Sequence, residues 1–189
     1  MKKILIKAPK KFNSKKQELS IFIKKYNPVF LIEKFTGRKL NKNIVLQHKD
    51  LKMEARFNKS IIYVDFNNKS SYIWLCICHE LSHIVLEDSA WYKDKDIYKF
   101  VKNRKKIVSS YSFVGAVEQA FAILLQAACE NRANIRKLRW SYWELTFDYM
   151  KVKNIGKSLW RSWLFYLKNI SRYKNIDKWI LEQFEKGRI

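Results

Sequence analysis

The feature that most constrains this chain is a pair of histidines four residues apart, His79 and His83, with Glu80 beside the first. They lie inside the apolar run Tyr72-Ile73-Trp74-Leu75-Cys76-Ile77-Cys78-His79-Glu80-Leu81-Ser82-His83-Ile84-Val85-Leu86. On a helix, residues four apart share one face, so both imidazoles project the same way and can hold one metal ion. Glu80, one step round, is within reach of a water on that metal. Neutral imidazole nitrogens suit Zn²⁺ at about 2.0–2.1 Å, and a carboxylate that is not a ligand can take a proton from the water. With three His and ten Glu in 189 residues, chance supplies about 0.002 copies of this spacing. The box therefore marks a metal site, and the remaining chain has to form its scaffold.

Ahead of the box, Leu19, Phe22, Ile23 and Tyr26 recur at helical spacing and predict a helix over 14–26, with Ser14 as its cap. Pro28 opens a second, short helix that Gly37 ends. The period then changes, and residues 44–48, 53–57 and 61–66 read as strands, the last two joined by a tight turn at Asn58-Lys59. Three such strands predict a small, mostly antiparallel sheet. His48, in the first of them, is a reserve ligand with no motif around it. Ser70 or Ser71 can cap the box helix, and Cys76 lies on its metal-facing side, although a small apolar packing role suits both Cys76 and Cys78. Glu87 shares the histidine stripe, but so close on one straight helix it has difficulty converging on the same metal.

Residues 90–111 are lysine-rich with scattered aromatics and predict a covering helix or a lid. After them, Val114-Gly115-Ala116-Val117-Glu118-Gln119-Ala120-Phe121-Ala122-Ile123-Leu124-Leu125-Gln126-Ala127-Ala128-Cys129-Glu130 reads as a buried helix. A carboxylate in such surroundings costs several kcal/mol unless it is paired, protonated or metal-bound. Glu118 is accordingly the expected third zinc ligand. Glu130, followed by Asn131-Arg132, is the alternative ligand and the better candidate for an arginine salt bridge.

A sheet, a helix bearing HExxH and a later helix with a ligand Glu resemble the zincin metallopeptidases of the Glu-ligand type. More narrowly, Ile77-Cys78-His79-Glu80-Leu81-Ser82-His83-Ile84-Val85-Leu86 and Glu118-Gln119-Ala120-Phe121-Ala122-Ile123-Leu124-Leu125 resemble the ImmA/IrrE-like family. That family runs an apolar helix into HELGH and later has Glu-Ala-Asn-x-Phe-Ala-x-x-Leu-Leu. The likeness spans residues 61–125, with Ser82 where the family has Gly and Glu118 three residues before Phe121 rather than four. It implies Zn²⁺ held by His79, His83 and Glu118, a fourth position for water, and Glu80 as the general base that returns its proton to the leaving amine. It further implies an extended peptide aligned along an outer strand, expected within 61–66. Tyr111 is the candidate donor to the oxyanion.

Composition bears on partners. Lys+Arg 39 against Asp+Glu 17 gives a net charge of +22, which attracts nucleic acid, anionic membranes or acidic proteins. With 4 Gly, 2 Pro and abundant Lys, Ile and Asn, the charge reads chiefly as a lysine-coated surface. Three cysteines at 76, 78 and 129 have no framework spacing, so reduced thiols and a cytoplasmic location are expected. The apolar stretch after Met1 stops at Lys7, too short for a secretion signal, and no uncharged run reaches the ~18 residues of a membrane span.

From 139 onward five of the seven tryptophans recur at helical spacing, which predicts core helices divided at Gly156. The chain thus reads as one α+β, zincin-like domain over 1–189. Its parts are helices and sheet (1–69), metal-site helices (70–135) and a helical subdomain (136–189). The expected function is a zinc metallopeptidase acting on a peptide or a regulatory protein. The alternative is an inactive zincin-like protein whose basic surface binds nucleic acid or a protein partner.

Overall fold

The computed structural model describes residues 4–51, 56–89, 91–102 and 112–189. The fold is α+β. Strands β1 (Ile4–Lys7), β2 (Ile44–His48), β3 (Arg56–Asn58) and β4 (Ile61–Val64) form one sheet in the order β1-β2-β4-β3. Helices α1 (Asn13–Lys25) and α2 (Pro28–Thr36) separate β1 from β2. They are followed by α3 (Ser70–Ser89), α4 (Lys95–Val101), α5 (Phe113–Arg132), α6 (Trp140–Tyr149), α7 (Lys153–Lys168) and α8 (Ile176–Glu185).

The sheet is mixed rather than mostly antiparallel. β1 runs parallel to β2 (Ile4↔Ile44) and β2 parallel to β4 (Val45↔Ile61), and β3/β4 is the antiparallel pair (Phe57↔Ile62). Parallel neighbours need a long crossover, which α1 and α2 supply between β1 and β2. The apolar triplet Ile4-Leu5-Ile6 is therefore a strand, although by itself it is too short to announce a partner. The strand within 61–66 is not the outer one. It lies between β2 and β3, because the hairpin turn at Lys59, with φ of 56°, folds β4 back inside β3. β3 holds the edge.

α1 begins at Asn13 with Phe12 as its N-cap and no side-chain cap, so Ser14 lies inside the helix rather than capping it, whereas α2 follows its local signals. Asn27 Oδ1 accepts from Phe30 N at 3.1 Å, Pro28 opens α2, and Gly37 ends it with φ of 65°. A Cβ on Gly37 would lie 2.7 Å from the Lys174 carbonyl oxygen, so this turn also lets the α7–α8 connection pass close by.

α3 runs through the middle, with α1, α2, β3, β4 and α5 around it. Trp74 Nε1 donates to the Tyr26 carbonyl at 2.8 Å, tying α3 to the end of α1. α5 lies alongside α3 and is buried over most of its length. Each of its fully buried Leu, Ile and Phe side chains contributes about 1.5–3 kcal/mol by leaving water. Among the described residues α5 is the one helix long and apolar enough to cross a membrane, and 72% of its apolar window is covered by the rest of the protein.

Behind α5, Trp143, Trp163 and Trp179 are fully buried, and Trp163 meets Trp179 at 5.3 Å between ring centroids. Trp143, Trp160, Trp163 and Trp179 are thus core, whereas Tyr142, Tyr149 and Phe165 are exposed. Gly156 lies inside α7 rather than between two helices, at a point where Phe147 of α6 crosses so closely that a Cβ would come within 2.3 Å of its ring. The described part of the 90–111 segment packs toward α8, with Trp91 and Phe100 both stacked on Phe184. Tyr111 lies outside the described residues.

Candidate metal centre

The box is helical, within α3. Ser82 is fully buried there and turns its hydroxyl back onto the Cys78 carbonyl at 2.7 Å, which satisfies the one polar group that could have disturbed the helix. The four-residue spacing then brings His79 Nε2 and His83 Nε2 to 3.2 Å from each other.

The other ring nitrogens decide what that contact is. His83 Nδ1 lies 3.0 Å from Glu118 Oε1, and a carboxylate accepts, so this nitrogen carries a proton. His79 Nδ1 lies 3.1 Å from Gln126 Oε1. Gln126 donates its Nε2 to Glu130 Oε1 at 2.8 Å, which fixes its amide with the oxygen toward His79. Nδ1 of His79 is therefore protonated as well. With both Nδ1 positions occupied, neutral rings leave both Nε2 atoms unprotonated, two lone pairs facing across 3.2 Å, with the Gln119 amide nitrogen 3.0 Å from His79 Nε2 and placed to donate to it. A proton or a cation between the two ring nitrogens would relieve that contact.

The pair fits zinc. With Zn–N bonds of 2.0–2.1 Å, nitrogens 3.2 Å apart subtend about 100° at the metal, near the tetrahedral angle. Burial, and secondarily the neighbouring His83, push His79 down to about 3, so its ring stays neutral at ordinary pH, the form that metal binding requires. Burial pushes Glu80 up to about 7, against a smaller opposing pull from His83. A carboxyl poised there both accepts and releases a proton near neutrality. Phe57 on β3 stacks on the His83 ring, centroids 5.9 Å apart and planes 13° off parallel, which brings the edge strand against the box.

Glu118, expected as third ligand, meets His83 from the far side. The two nitrogens of an imidazole point in diverging directions, so a carboxylate seated on Nδ1 faces away from a metal on Nε2. One residue on, Gln119 reaches the ligand face, its Nε2 3.0 Å from His79 Nε2. A half-turn of that amide brings Oε1 to the same point, an oxygen of the kind divalent metals accept. A one-residue shift is a 100° turn on a helix, which is what separates Glu118 from Gln119 here. Among the described residues no group of three His, Cys, Asp or Glu converges as a cage.

Glu130 is fully buried and pairs with Arg136 at 3.3 Å, not with Arg132 beside it in sequence. His48 is used elsewhere, its Nδ1 accepting from Phe66 N at 3.2 Å and its ring packed on Phe12. Burial pushes the Cys76 thiol up to about 12, as befits a packing residue, and Glu87 is exposed. Gln119 and Gln126 escape a search for charge along α5, because neither carries any. Their spacing of seven residues, two helical turns within an otherwise apolar stretch, is the signal the sequence does hold. No family model matches the chain, nor does any curated protein or solved structure.

Proposed function

We propose that the chain is a zinc-dependent metallopeptidase of the zincin type, acting on a peptide or a regulatory protein. One observation carries this: two half-buried imidazoles, each with Nδ1 engaged, aim unprotonated Nε2 atoms at one point from 3.2 Å apart, next to a carboxyl raised to about 7. His79 and His83 would hold Zn²⁺, with the Gln119 amide beside them and Glu118 holding the His83 ring. Zinc bound there would supply Lewis acidity, bringing a water's pKa toward ~7.

Glu80 accepts the proton of the attacking water and passes it to the departing amine, a double task that suits a group titrating near neutrality. β3, at the sheet edge and stacked on the box through Phe57, offers main-chain hydrogen bonds to an extended peptide.

The test is zinc content and affinity of the wild type beside His83→Ala and Glu80→Gln, followed by cleavage of a peptide library. About one zinc per chain, lost in His83→Ala and kept in Glu80→Gln while cleavage disappears, is the expected result. A folded wild type that takes up no zinc would overturn it.

A second reading is favoured by the 3.0 Å contact of Glu118 with His83, which equally suits an imidazolium donating from Nε2 to His79. The pair would then be metal-free and the +22 surface would serve nucleic acid or a protein partner. Zinc refusal together with salt-dependent DNA binding is its signature.

A further inference from the structure

Glu130 is a costly residue to keep. Its side chain is wholly inaccessible, and it lies near the C-terminal end of α5, where the helix dipole is itself negative. Burial pushes its carboxyl up, while Arg136 and the Gln126 amide pull it back. A buried ion pair of this kind is weak support for stability, since apolar side chains of similar volume often do as well. Its contacts point to a different task.

The groups form a line, an ion pair at its Arg136 end and hydrogen bonds from Glu130 inward. The Arg136 guanidinium lies over the Trp143 ring at 4.7 Å and donates to the Tyr142 carbonyl at 3.4 Å, which anchors it at the start of α6. From there Arg136 Nε meets Glu130 Oε2 at 3.3 Å. Glu130 Oε1 takes the Gln126 Nε2 proton at 2.8 Å, and Gln126 Oε1 takes the His79 Nδ1 proton at 3.1 Å. Gln126 alone could face His79 with either end of its amide. An acceptor at 130 permits only one.

We infer that Glu130, anchored by Arg136 and acting through Gln126, is a positioning residue that holds His79 in the Nδ1–H tautomer and so keeps Nε2 free to bind a cation. Arg136, with its side chain about two-fifths exposed, is the surface end of this line. The inference deepens the zinc-site proposal and rests on it for its metal consequence, but the tautomer itself is a property of the metal-free chain.

Glu130→Gln tests it with almost no change of shape. The new amide can present either a donor or an acceptor to Gln126, so Gln126 is free to turn over and offer its N–H to the ring. His79 then shifts to the Nε2–H tautomer, which has no lone pair on Nε2 for a metal until the proton moves back. Nitrogen-15 shifts of the imidazoles, recorded on the metal-free full-length protein, should show His79 as Nδ1–H in the wild type and moved toward Nε2–H in the variant. Zinc affinity, measured by chelator competition with Zn²⁺ alone, should fall about 10–100-fold. Exchanging the two functions, Gln126→Glu with Glu130→Gln, restores an obligate acceptor beside His79 and keeps the net charge of the group, moved one helical turn away from Arg136, so both readouts should return.

If Glu130→Gln fails to fold by circular dichroism, Gln126→Met leaves the Glu130–Arg136 pair intact and is expected to shift the tautomer in the same direction. An unchanged His79 tautomer in a folded variant overturns the inference, as does an exchange variant that restores neither readout. A wild type that binds no zinc yet shows the tautomer shift would overturn the zinc-site proposal alone.

Discussion

Replacing Glu80 by glutamine should make the metal-free protein more stable above neutrality and leave it unchanged in acid. The group's ordinary value is 4.5, and burial in the folded chain raises it to about 7. The folded state therefore holds this proton more tightly than the unfolded one. Stability linked to Glu80 is fully present below about pH 4.5, declines as pH rises, and is lost once pH passes about 7. A shift of about 2.5 pKa units at 1.36 kcal/mol each amounts to about 3 kcal/mol, an upper figure for a group that keeps some contact with water. Glutamine never ionises and escapes that penalty.

Urea unfolding of both proteins, with zinc removed by chelator, at intervals from pH 4 to 8 reads the difference directly from the midpoints. The two curves should coincide near pH 4 and separate by about 3 kcal/mol near pH 8, the variant being the more stable. A constant separation across this range would mean that Glu80 titrates at its ordinary value. That result would remove the physical basis for its proposed role as a proton carrier. The same burial that destabilises the fold at neutral pH is what lets the carboxyl exchange a proton there, so losing activity and gaining stability should accompany each other in this one substitution.

Two further outcomes follow from named contacts. Glu118→Ala should keep about one zinc per chain while lowering affinity about 10–100-fold, because the carboxylate orients His83 through Nδ1; complete loss of zinc in equilibrium dialysis would instead make it a ligand. Gly156→Ala should lower stability by about 1–3 kcal/mol in thermal unfolding, since its Cβ would come within 2.3 Å of the Phe147 ring. Adding Phe147→Leu should recover part of that loss, and no change in the single variant would refute the close crossing of α6 and α7.

Features that depend on neighbours along the chain are legible in the amino-acid sequence itself. The spacing of His79 and His83 makes them share a helix face wherever that helix packs, and Asn27, Pro28 and Gly37 bound α2 by their own hydrogen bonding and backbone preferences. The stripe of Ile176, Trp179, Ile180 and Phe184 had to be core for the same reason, because apolar side chains on one helical face need a partner surface.

What tertiary structure alone decided is pairing across distance. Ile4-Leu5-Ile6 carries no mark that says it will lie parallel to β2, forty residues on, and 61–66 cannot declare whether it is an edge or an interior strand, since the pleat looks alike in both. At the centre, sequence supplied the two imidazoles and the neighbouring carboxyl but not which ring nitrogen each partner would take. Glu118 and Gln119 differ by one step on a helix, and the docking of α5 against α3 turns one to His83 Nδ1 and the other to His79 Nε2. That choice lies in the rotation of one packed helix against another, which no local pattern encodes.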